Sequence, residues 1–165
     1  MTKPLDVSPV EVWIGAPTEV VWSVLADGWS YAGWVVGASR IREVDRNWPQ
    51  TGSRIHHSVG AWPLLLDDIT EVLAAQEGSS LLLRARAWPT GEAQVRFDLT
   101  EAGAGCRIAM REDTVAGPAH ALLPGSVRQA LIRPRNAETL RRFGLLARGR
   151  HTAELAVPEV QHTSA

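Results

Sequence analysis

Val10-Glu11-Val12-Trp13-Ile14 reads as a strand, and Ala16-Pro17-Thr18-Glu19 follows it at once as a helix start. Pro is preorganised for the first helical position, and an acid in the first turn complements the positive end of the helix dipole. Val20, Val24 and Leu25 recur at helical spacing, and Gly28 is placed to end the run. A short second helix is expected over about Tyr31 to Val36, before Gly37. One strand followed directly by two short helices is the feature on which the fold turns.

Downstream of Ser39 the chain changes period. Arg40–Asp45, Ser53–Val59, Leu64–Leu73, Ser80–Trp88, Ala93–Leu99 and Cys106–Val115 read as six further strands. Their separators, such as Asn47-Trp48-Pro49-Gln50-Thr51-Gly52 and Gly103-Ala104-Gly105, are turn material. Short spacings of this kind argue for consecutive antiparallel hairpins. Gly103-Ala104-Gly105 joins two strands and has no helix behind it, so it is not a phosphate loop.

After a Pro- and Gly-rich connection the pattern becomes helical again. Val127–Arg133 and Arg135–Arg148 are two segments separated or kinked by Pro134. In the second, Ala137, Leu140, Phe143 and Ala147 form the apolar side. The expected architecture is α+β. A curved seven-stranded antiparallel sheet wraps around a long C-terminal helix, with two short helices after strand 1. Residues 1–150 form one domain and residues 151–165 a flexible tail. A sheet of that length curls, and one helix does not fill its concavity, so a cavity between the two is expected.

Composition narrows the classes. The chain has 165 residues, 45% hydrophobic and 21% charged, with net charge −1, which excludes a disordered acidic or basic tail, a collagen-like repeat and a strongly cationic nucleic-acid binder. One cysteine, Cys106, rules out an internal disulfide. Met1 to Val10 carries one Lys and no apolar run, so no secretory leader is read there, and the cytoplasm is the expected compartment. The longest uncharged stretch, Thr114 to Val127, is too short and too broken by Gly and Pro to span a bilayer. Residues 126–150 hold seven Arg against Glu138 alone, which reads as a solvated basic helix face or as a surface for an acidic partner.

Strand parity selects candidate site residues. Cys106, Ile108, Met110 and Glu112 share one face of the last strand, and the apolar face should look inward. Glu112 is then a general base, an acceptor for a ligand hydroxyl, or a structural carboxylate paired with an Arg. His57, on a face with Ile55 and Val59, is either a proton-transfer group or a hydrogen-bonded core histidine. One of Asp67 and Asp68 faces the cavity, and Leu64-Leu65-Leu66 leaves the choice open. Metal spacing is missing: there is no His-x-x-x-His and no carboxylate cluster with His. No cofactor motif is present, and no Gly-x-Ser-x-Gly elbow.

Seven Trp against two Phe and one Tyr is the compositional oddity. Trp48, Trp62 and Trp88 each precede Pro, which holds them extended at strand ends. They either surround a flat ligand or plug the open ends of the sheet. Trp34 is the further candidate for the cavity mouth, while Trp13 and Trp22 read as core packing. The candidate ligand-binding set is therefore Trp34, His57, Trp62, Trp88, Met110 and Glu112, with Glu112 and His57 the candidates for proton transfer.

Several stretches resemble the helix-grip superfamily that includes START lipid-transfer domains, birch-pollen-allergen-like (Bet v-like) proteins and bacterial polyketide cyclase/dehydrase-like proteins (the SRPBCC group). They are Val12-Trp13-Ile14-Gly15-Ala16-Pro17, Glu19-Val20-Val21-Trp22, Asp27-Gly28-Trp29-Ser30-Tyr31, Met110-Arg111-Glu112-Asp113 with Gly117-Pro118, and Arg135-Asn136-Ala137-Glu138-Thr139-Leu140-Arg141-Arg142. The resemblance covers about residues 8–150 and implies the fold more sharply than the function, because this scaffold hosts carriers, receptors, cyclases and hydrolases. It implies a hydrophobic small-molecule ligand of lipid, polyketide or isoprenoid type. The alternative is a cyclase, aromatase or dehydratase using the same cavity with a Glu or His proton shuttle. A third class is a protein-interaction module acting through the Arg-rich helix.

Overall fold

The computed structural model describes residues 5–61, 64–87 and 91–156. Seven strands, β1 (Val10–Ile14), β2 (Ala38–Val44), β3 (Arg54–Ala61), β4 (Leu64–Gln76), β5 (Ser80–Ala87), β6 (Gly91–Ala102) and β7 (Gly105–Ala116), form one sheet. Their spatial order is β1-β7-β6-β5-β4-β3-β2, with every neighbouring pair antiparallel. Helix α1 (Thr18–Leu25), a 3-10 turn (Gly28–Ser30) and α2 (Tyr31–Trp34) lie between β1 and β2. After β7 come α3 (Pro118–Leu122) and the long α4 (Gly125–Ala156).

The sequence periods carry over into packing. Ile108, Met110 and Glu112 of β7 are buried, while Arg107 is exposed. In α1 the stripe of Val20, Val21, Val24 and Leu25 is buried against the sheet. Each such side chain contributes about 1.5–3 kcal/mol on full burial. The core continues through Leu81, Leu83, Val95 and Phe97 to Leu140, Phe143 and Ala147 of α4.

Four expectations are corrected. Pro134 does not divide the C-terminal helix; it lies inside the continuous α4. A proline ring displaces the carbonyl four residues earlier, and both Pro134 and Ala130 lie on the exposed face, where water can satisfy that carbonyl. The buried stripe of α4 is Asn136, Thr139, Leu140, Phe143, Gly144 and Ala147, and Ala137 is exposed. Two polar residues therefore hold inward positions that the apolar pattern assigned elsewhere. The connection after β7 contains a short helix, α3, and α4 itself runs past residue 150 to Ala156.

The fourth correction is Trp13, which is 53% exposed on the outer face of β1. Its Nε1–H donates to the Ala102 carbonyl at 3.0 Å. The ring lies against Gly105, where an added Cβ would fall 2.9 Å from Trp13 Cζ2 and 2.3 Å from the Ile14 carbonyl oxygen. Glycine there lets β1 close onto β7 beneath the indole.

Helix α4 is fastened by its own arginines. Arg128 forms a two-pronged pair with Asp113, with Nε–Oδ1 at 2.9 Å and Nη2–Oδ2 at 2.8 Å. Arg135 pairs with Glu112. Arg133 donates to the Ser8 carbonyl at 3.1 Å, and Arg150 donates to Asp27 Oδ2 at 2.8 Å and the Ser23 carbonyl at 2.9 Å. Arg141 and Arg142 both reach Glu138 on the same helix. The basic run is thus largely engaged by partners within the molecule, although most of its arginines are exposed.

Candidate functional site

Between the concave face of the sheet and α4 lies a cavity of about 70 Å³. Val95, Phe97 and Met110 from β6 and β7, Leu83 from β5, and Val35 beside α2 supply its apolar walls. Tyr31, His57, Glu112, Arg135 and Thr139 supply the polar positions. Arg86 and Arg135 are exposed yet reach the lining, so they mark where the cavity meets solvent. Seventy cubic ångströms is the space of two or three waters at about 30 Å³ each, well below the roughly 300–1,000 Å³ of drug-sized sites.

Two larger depressions, about 460 and 580 Å³, are open surface grooves near Trp48 and near Arg128. Neither gathers a fully buried titratable side chain. The smaller cavity does, and its chemistry is the more specific for that reason.

On one wall a hydrogen-bonded chain runs from α2 to the sheet. Tyr31 Oη lies 3.2 Å from Thr70 Oγ1, and Thr70 Oγ1 lies 3.0 Å from His57 Nε2. The Tyr31 and His57 rings are 5.4 Å apart between centroids and tilted. Burial pushes the Tyr31 hydroxyl up to about 12, although the bond to Thr70 opposes it. Burial likewise lowers His57 to about 4, offset in part by the backbone of Ser58. His57 is therefore a neutral imidazole at pH 7. Its Nδ1 has no partner of good geometry, only that loose contact with the Ser58 backbone.

Asp68, not Asp67, is the inward carboxylate. It stands opposite His57 in the β3–β4 register and is 5% exposed, whereas Asp67 is exposed and pairs with Arg42 at 3.3 Å. Directly paired residues of an antiparallel ladder share a face, so His57 determines the side that Asp68 takes. Asp68 Oδ1 accepts the Ile69 N–H at 2.7 Å, and Oδ2 is buried without a partner. Burial raises its pKa above the usual carboxylate range.

The opposite wall carries Glu112, 5% exposed, whose Oε1 accepts a hydrogen bond from Arg135 Nη2 in an ion pair. Its backbone carbonyl accepts the Gln129 side-chain amide at 2.8 Å, so α4 grips this residue twice. Oε2 is buried and has no hydrogen-bond partner. Met110, one step along the same face, also lines the cavity.

Of the six residues expected to bind a ligand, three line one space: His57, Met110 and Glu112. Trp34 does not stand at the mouth. It is 2% exposed and wedged edge-on among Tyr31, Phe97 and Phe143, with centroid distances of 5.2, 5.8 and 5.1 Å. A one-turn helix pressed onto the core turns that indole inward. Trp62 and Trp88 lie outside the described residues. Sequence reasoning missed Tyr31, Thr70 and Arg135. Tyr31 had one signal, as the single tyrosine of the chain. Thr70 had none before the β3–β4 register was known. Among the described residues no three His, Cys, Asp or Glu side chains group as metal ligands, and no helix is long and apolar enough to cross a membrane.

No family model matches this sequence, and neither does any curated protein. Solved structures do match. The di-domain ARO/CYC StfQ from the steffimycin biosynthetic pathway superposes with a TM-score of 0.67 at 11% identity, over 90% of this chain and 51% of that one. Ara h 8.0201 gives 0.62 at 14% identity, over 84% of this chain and 95% of that one. DynU16, a putative protein in the dynemicin biosynthetic locus, gives 0.58 at 24% identity, over 91% of this chain and 49% of that one. The chain spans about half of StfQ and of DynU16. At these identities the likeness establishes a common fold, the helix-grip fold, and leaves function to the site.

Proposed function

We propose that this protein binds a hydrophobic small molecule, of lipid, polyketide or isoprenoid type, between the sheet and α4. The supporting observation is the cavity itself: apolar walls from Leu83, Val95, Phe97 and Met110 enclose buried polar groups from both the sheet and α4. An apolar body gains free energy by leaving water for such walls, and a few polar groups orient it. With about 70 Å³ enclosed, the cavity holds one end of such a molecule, and the rest lies in the mouth marked by Arg86 and Arg135.

Ala93, 4% exposed and in the lining, provides the test. Ala93→Leu puts three more carbons into the space. Alkylbenzenes from toluene to butylbenzene, titrated calorimetrically, should bind the native protein saturably at one site and the variant at least about tenfold more weakly. Absence of saturable binding to the native protein, or equal binding to a cooperatively folded variant, would overturn the proposal.

A second reading draws on the Tyr31–Thr70–His57 chain. A hydroxyl linking an imidazole to a phenol offers a path for a proton beside a carbonyl, as a cyclase, aromatase or dehydratase requires, although His57 lowered to about 4 and Tyr31 raised to about 12 both lie far from the neutral values that favour such a transfer. Turnover of a poly-ketone lost in His57→Gln, with binding retained, would favour it over a carrier. An interaction module working through the basic helix draws less support, because the arginines of α4 are engaged with Asp27, Glu112, Asp113 and Glu138.

A further inference from the structure

We infer that the molecule held in this cavity is a neutral alcohol or phenol whose O–H is donated to Glu112 Oε2; this rests on the binding reading above. Oε2 is buried, belongs to a cavity-lining residue and has no hydrogen-bond partner. A carboxylate oxygen taken from water without a donor is among the costlier groups to leave unsatisfied. Its companion Oε1 is held by Arg135, and α4 holds the backbone carbonyl through Gln129. The carboxylate is thus fixed in place, with Oε2 its one oxygen left without a donor.

Several other polar groups of the wall have partners already. Tyr31 and Thr70 bond to each other, and His57 Nε2 bonds to Thr70; His57 Nδ1 is left without a good partner, and a hydroxyl, which both donates and accepts, can meet it as well. Thr139 Oγ1 accepts the Val36 N–H at 3.2 Å. A ligand that brings only acceptors therefore gains nothing at Glu112, and one that brings a donor gains a charge-assisted bond.

Charge selects among donors. Arg135 already neutralises Glu112, and Arg86 stands with Arg135 at the mouth, so an ammonium group meets two guanidiniums. A carboxylate has no proton to donate, so it leaves Oε2 unsatisfied whatever it gains from Arg86 at the mouth. A hydroxyl on an apolar body remains: the body suits Val95, Phe97 and Met110, and the O–H suits Oε2.

Phenol and its methyl ether, anisole, make the matched probe pair, since they differ in the one donor. The native protein should bind phenol at least about tenfold more tightly than anisole, as expected for a hydrogen bond to a buried charge. In Glu112→Gln the ratio should shrink to about twofold, with anisole affinity nearly unchanged. Thermal unfolding of the variant checks that it folds, and the native ratio stands without it. Equal affinity of phenol and anisole in the native protein overturns this inference while the binding proposal survives. So does an undiminished preference in Glu112→Gln. Failure of both probes and of every alkylbenzene overturns the binding proposal, and this inference falls with it.

Discussion

His57 and Asp68 stand directly opposite each other across the β3–β4 ladder, both buried on the concave face of the sheet. Burial disfavours the charged form of each, so the pKa of His57 is lowered to about 4 and that of Asp68 is raised. Two groups on the same rung therefore respond to acid in opposite senses.

For His57 the folded value lies below the ordinary 6.5, so the unfolded chain binds the extra proton between those limits. Its neutral burial costs nothing above pH 6.5, and stability falls progressively from there down to about pH 4. The total loss is on the order of 3 kcal/mol. His57→Gln should flatten this part of a stability-against-pH curve measured by urea unfolding. An unchanged slope would show that another group carries it.

Asp68 behaves the other way. Its folded pKa is raised, so the ionised form is the costly one, and the cost is fully present once the pH exceeds that raised value. Asp68→Asn keeps an oxygen for the Ile69 N–H and removes the buried charge. The variant should be more stable than the native protein near neutrality, and the difference should close on acidification. A variant less stable at every pH would contradict this.

Breaking the Glu112–Arg135 pair from the arginine side leaves a buried carboxylate alone. Because Arg135 is 44% exposed, water offsets part of the penalty, and Arg135→Ala should cost about 2 kcal/mol rather than the larger loss of a fully buried pair. Adding Glu112→Gln to that variant should recover part of the loss in a double-mutant cycle. Strictly additive effects would mean that the pair is not coupled.

Trp34 separates core from cavity. Trp34→Ala removes an aromatic wedge packed on three rings and should cost about 3–5 kcal/mol. Trp34→Phe deletes an N–H that is buried without a partner and should cost much less. Thermal melts of the two variants would show the contrast, and equal losses would argue that the indole N–H has a partner.

Local pattern determined much of this protein. Alternation along 106–112 identified the inward face of β7, and with it Met110 and Glu112, because side-chain direction in a strand follows from period two alone. The element order from β1 through the hairpins to α4 was legible for the same reason. Pairings between distant segments were not. Asp68 was distinguished from Asp67 only when the register set it opposite His57, since three successive leucines before them carry no parity. Arg135 meets Glu112 only because α4 turns its Asn136–Thr139 face inward, a rotation that the exposed Ala137 contradicts on apolarity alone. The size of the cavity is of the same kind. It is what remains after Trp34, Phe97 and Phe143 have packed on one another, and packing is a property of volumes in three dimensions that no period along the chain encodes.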